Sequence, residues 1–107
     1  MSSRHDRLSA PDLRGWRRLG QMALATMAAL ERAGLKDVML DLNRRVFERD
    51  AADLHDVHDL GAGVAIVEFK PYVELLLLEI QDAARHECLA AEAKRARIRR
   101  AMELAGF

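Results

Sequence analysis

The sequence predicts an all-α fold, a small helical bundle with a long C-terminal helix. Three observations carry that expectation. Apolar residues recur at steps of three and four through most of the chain. Ala, Leu and Met fill the apolar positions while aromatics are scarce, a composition that favours helices. The two prolines, Pro11 and Pro71, both stand where a helix can begin. The alternative is a small α/β unit with strands near 37–43 and 63–69.

Residues 1–8, "MSSRHDRL", are polar and aperiodic and read as a flexible N-terminal tail. Residues 9–107 then form a single helical domain, long enough for a modest core. Ser9 offers an N-cap oxygen, and Pro11 and Asp12 suit a first turn. Leu13, Trp16, Gly20, Ala23, Met27 and Leu30 follow at steps of three and four, with Leu19, Thr26 and Ala33 beside them. The first helix is therefore expected from about 10 to 33, with Gly34 as its left-handed stop.

In residues 35–48, Leu35, Val38, Met39, Leu42 and Val46 share a helical face. Val38, Leu40 and Leu42 also alternate as a strand would, pairing with "GVAIVEF" at 63–69. The helix is preferred because only Val38 and Val46 are β-branched. Asp50 and Asp53 look like the start of a short third helix carrying "AADLHDVHDL", ended by Gly61 and Gly63. "VAIVEF" is β-prone and reads as an extended connector. From Pro71 the helical pattern runs unbroken to Gly106, predicting a last helix of about 35 residues, roughly 50 Å long. Such a helix would overhang a small domain. Its apolar heptad positions Leu77, Ala84, Ala91 and Ile98 would then need a second molecule to cover them, with Trp16 and Met27 of the first helix packing alongside.

Formal charge is zero overall but falls in blocks: +3 over residues 1–40, −6 over 41–82 and +3 over 83–107. Basic ends and an acidic middle can pair within one molecule or between copies. A single cysteine, Cys88, excludes an internal disulfide framework and suits a reducing compartment. The stretch "WRRLGQMALATMAAL" has two arginines before a mildly apolar run, as in an export signal. Gln21, Thr26 and the following Glu31-Arg32 argue against that reading. No apolar run approaches the roughly 18 residues a bilayer needs, so no membrane partner is expected and the location is read as cytoplasmic.

Candidates for chemistry are few. His55 and His58, if helical, lie one turn apart and can reach one ion, with His86 and Glu87 as further ligands. Neither a Glu-x-x-His pair nor H-E-x-x-H is present, and aspartates beside histidines also describe a wet acidic surface, which is the preferred reading. The run "KRARIRR" places Arg95, Arg97, Arg99 and Arg100 for phosphate contacts, although basic residues near a helix C-terminus are also favoured by its dipole. No set of acid, base and nucleophile emerges, so neither an enzyme nor a cofactor is expected. The sequence is best read as a cytoplasmic interaction or assembly protein acting as a homo-oligomer, its partner being protein. A nucleic-acid-associated regulator and a metal-binding accessory protein are the alternatives.

Overall fold

A computed structural model describes residues 12–107. The tail at 1–8, the Ser9 cap and the Pro11 turn lie outside the described residues. The architecture is mixed α/β, which corrects the all-α expectation. Its elements are β1 (Asp12–Arg14), α1 (Trp16–Arg32), α2 (Lys36–Leu42), α3 (Ala51–Leu54), β2 (His55–Gly61), β3 (Val64–Phe69), α4 (Pro71–Arg85) and α5 (Ala91–Leu104). Helices hold most of the described residues, and none is long and apolar enough to cross a membrane.

The first correction lies at Gly15. Residues 12–14 are a strand parallel to β3, pairing Leu13 with Ala65, rather than the first turn of a helix. Gly15 then turns the chain at φ +100°, a left-handed conformation natural to glycine, and α1 begins one residue later. The backbone also passes very close to β3: a Cβ at Gly15 would lie 2.2 Å from the Val67 carbonyl oxygen. The buried stripe of α1 is Leu19, Thr26, Ala29 and Leu30, rotated from the seam through Trp16, Gly20 and Ala23. Gly34, at φ +72°, stops α1 as expected. The Leu35 N–H reaches back to the Leu30 carbonyl at 2.9 Å and the Gly34 N–H to Glu31 at 3.0 Å, the paired bonds of a Schellman cap.

The helical reading of 35–48 holds: α2 continues through a wider π-type turn at Asn43–Phe47, and no strand forms at 37–43. The third helix stops after one turn. His55–Gly61 instead pairs antiparallel with Val64–Phe69 around the turn Gly61-Ala62-Gly63, whose three residues all have positive φ. Sheet order is β1-β3-β2, with β3 central. Ala65, Val67 and Phe69 alternate inward against the helices, which is what made "VAIVEF" β-prone.

The last helix is two. The chain leaves helical geometry at His86, and α5 folds back on α4. No glycine or proline causes the break; packing does. The return buries Ile98 and Met102 completely, and the Lys94 ammonium donates to the Ala84 carbonyl at 2.8 Å, satisfying one of the acceptors freed at the end of α4. The core joins Leu30, Leu35, Leu42, Val73, Leu77 and Ile98. Thr26, fully buried, is satisfied by donating to the Met22 carbonyl and accepting from the Gln81 amide.

Candidate functional site

The heptad positions expected to self-associate are largely spent inside the chain. Leu77, Ala84 and Ile98 are buried, Met27 is partly buried, and Ala91 is exposed at the start of α5. The overhang that would have demanded a second molecule is absent, because α5 covers what a straight helix would have left bare. Trp16, the remaining expected contact, is 46 % exposed.

The histidine question is settled by the strand. Successive side chains of β2 alternate between faces, so His55 and His58 point to opposite sides of the sheet and cannot share an ion. His58 lies on the outer face, 2.9 Å from the Glu68 carboxylate. His55 turns inward between Phe69, stacked at 5.2 Å, and Trp16, edge-on at 5.2 Å. His86 and Glu87 are exposed in the turn after α4, and among the described residues no group of three His, Cys, Asp or Glu is placed to hold a metal.

The basic stretch of α5 is mostly neutralised by carboxylates of the same chain, from α2, α4 and α5 itself. Arg95 donates to Asp37 and Glu92, Arg97 to Glu79 at 2.8 Å and Asp82 at 3.0 Å, and Arg99 to Asp37 at 3.5 Å. Arg100 has no ion-pair partner among the described residues. Phosphates would therefore have to displace carboxylates from three of the four arginines. At the centre of this charge belt sits Asp41, nearly buried. Burial alone would raise its pKa, but hydrogen bonds and charge from Arg45 and Arg44 outweigh that and hold the carboxyl below its ordinary range.

Two surfaces remain that the sequence did not single out. On the α4/α5 pair, Tyr72, Leu75, Leu78 and Leu104 are large, apolar and exposed, Leu75 by 67 % and Leu104 by 74 %. Leu75 separates two hollows. One, of about 470 Å³, carries Arg97 and Arg100 at its edge; the other, of about 270 Å³, carries Glu68 and Glu74. The first exists because α5 returns along α4, so periodicity along the chain could not reveal it; the second lies between the end of β3 and α4.

The second surface is a hollow of about 330 Å³ between α1 and the segment from Phe47 to His55. Trp16, Phe47, His55 and Phe69 supply aromatic walls, and Gly20 and Ala23 leave α1 low on one side. Burial pushes the His55 imidazole below its ordinary pKa, favouring the neutral ring. A search of protein-family models finds no match to this chain, and neither curated proteins nor solved structures match it.

Proposed function

We propose that this chain is a small interaction protein that works as a homodimer, pairing through the ridge of Tyr72, Leu75, Leu78 and Leu104. The observation that carries the reading is this ridge of exposed apolar side chains flanked by opposite charges. Contiguous exposed apolar surface marks association sites in soluble proteins. A two-fold axis near Leu75 would bring the Arg97/Arg100 end of one copy over the Glu68/Glu74 end of the other, as an isologous interface requires. Among the described residues Arg100 has no partner to give up, while Arg97, Glu68 and Glu74 would share or exchange their present partners Glu79, His58 and Arg18. The charges would set orientation and encounter rate more than affinity. The lone exposed thiol of Cys88 suits a reducing compartment, so the cytoplasm is part of the proposal.

The test is solution mass by light scattering after size exclusion, at low and high salt and up to about 0.1 mM protein, where a dimer of Kd ~10 µM is mostly paired. The expected result is a dimer that survives high salt and becomes a folded monomer in Leu75→Glu. A wild-type monomer across that range would overturn the reading, as would a Leu75→Glu variant that keeps its dimeric mass.

A further inference from the structure

We propose that the hollow walled by Trp16, Phe47, His55 and Phe69 is a binding site for a small planar aromatic carboxylate. Its shape, walls and one cation each point to that class of ligand. The volume, about 330 Å³, lies at the low end of small-molecule sites, which run from roughly 300 Å³ upward, so the occupant is one or two fused rings rather than a nucleotide.

Four aromatic or heteroaromatic rings around one hollow favour a flat π-system, taken up by stacking and edge-to-face contact. Room for it comes from α1. Gly20 faces the hollow, and a Cβ built there would meet nothing within 4 Å. Glycine in the middle of a helix is less favourable than alanine, so the open space in front of Gly20 is kept against local helix preference.

Charge supplies the second half of the argument. Arg49 is the one ionised side chain lining the hollow. It has no carboxylate partner among the described residues. Its guanidinium lies 4.6 Å over the Phe107 ring and makes only a long 3.4 Å contact to the Gly106 carbonyl. Stacking fixes the plane of the guanidinium while leaving N–H donors free, the arrangement in which arginine takes a carboxylate through two parallel bonds. Arg44, Arg45, Arg95, Arg97 and Arg99 are each matched with carboxylates; Arg100 is also unmatched among the described residues, but Arg49 is the one that borders this hollow.

One further polar demand is unmet at this place. Nδ1 of His55 is buried with no hydrogen bond of good geometry, the Ala51 backbone being its one weak polar neighbour; among the described residues no other buried side-chain nitrogen or oxygen is left so. Leaving such a group unpaired is unfavourable, because its hydration is lost without replacement. Turning the ring about its Cβ–Cγ bond toward a bound carboxylate would relieve that cost. The site thus brings together an unmatched cation, an unsatisfied imidazole nitrogen and flat apolar walls. It adjoins the α4/α5 ridge, since Phe69 borders both and the Phe107 ring under Arg49 stacks on Tyr72, but its walls include none of the four ridge side chains, so it does not need the chain to dimerise.

The test uses 2-naphthoate and its neutral counterpart 2-naphthylmethanol as probes, followed in amide correlation spectra of the whole chain. Trp16 is the single tryptophan, so its indole N–H reports the wall without ambiguity. Expected are saturable shifts of the Trp16 indole and Gly20 amide signals, with the acid binding about tenfold more tightly than the alcohol. Arg49→Gln should bring the acid down to the level of the alcohol without weakening the alcohol. Gly20→Leu, which fills the space from a helical position, should abolish both while the rest of the spectrum stays that of the folded chain. Equal affinity of the two probes, unchanged acid binding in Arg49→Gln, or no saturable shift at about 1 mM probe would each overturn the proposal.

Discussion

Replacing Gly15 with alanine adds one methyl group, yet it should cost this fold several kcal/mol. Two separable effects act there. An L-residue held at φ +100° carries a left-handed penalty of roughly 1–2 kcal/mol. The new Cβ would also lie 2.2 Å from the Val67 carbonyl oxygen and 3.3 Å from its carbon, whereas ordinary contact begins near 3.4 Å. The neighbour is backbone of the central strand and cannot swing aside, so β3 or the start of α1 must move by about an ångström. Forcing such a shift on a packed core costs about 1–3 kcal/mol. The sum is a loss of roughly 2–5 kcal/mol. Gly34→Ala is the control: its φ of +72° is also left-handed, with a conformational penalty no larger than that at Gly15, but nothing lies within 4 Å. Urea unfolding of both variants should show Gly15→Ala less stable than Gly34→Ala by about 1–3 kcal/mol. Equal losses would refute the claim that contact with β3, rather than backbone conformation alone, demands glycine at 15.

Two more outcomes follow from the packing and the charge belt. Ile98→Ala should cost about 2–5 kcal/mol by urea unfolding while Leu104→Ala, on the same helix, stays within about 0.5 kcal/mol. Similar small losses for both would restore the single overhanging helix. Stability should fall on acidification in two steps, because His55 and Asp41 both have folded pKa values below their ordinary ones. For each, the unfolded chain binds the proton first, so the stabilisation is present above the ordinary value and is lost as pH falls toward the folded one. The His55 step begins near pH 6.5 and should vanish from the stability profile of His55→Phe; the Asp41 step begins near pH 4 and should shrink in Asp41→Asn.

What could be read from the sequence was local. Gly34 ends α1 because a single residue's left-handed freedom decides a cap. The β-prone run at 64–69 is legible as extended because alternation and branching agree there, but by itself it reads as a connector, since both strands it pairs with lie elsewhere in the chain. The features missed depend on partners far along the chain. β2 contains one β-branched residue, Val57, and is a strand because β3 pairs with it; the Gly-Ala-Gly turn before "VAIVEF" was the available signal for a hairpin. The break at His86 has no breaker residue and follows from the burial of Ile98 and Met102. His55 and Trp16 were both noticed, one as a ligand and the other as an interface residue. Their meeting with Phe69, and with Arg49 at the edge of the same hollow, is a product of the sheet and was invisible to spacing.

The sheet's order also sets an order of assembly. β2 and β3 are joined by a turn of two residues, Ala62 and Gly63, so their hairpin closes a very short loop. β1 reaches the opposite edge of β3 only after α1, α2 and the hairpin have been threaded between, Leu13 meeting Ala65. Loop-closure entropy grows slowly with length, but that long closure is rewarded by only three residue pairs. The edge formed by β1 is thus the part of the sheet that forms last and opens first. Because Trp16 and Gly20 follow β1 through the Gly15 turn, opening of this edge would loosen one wall of the aromatic hollow.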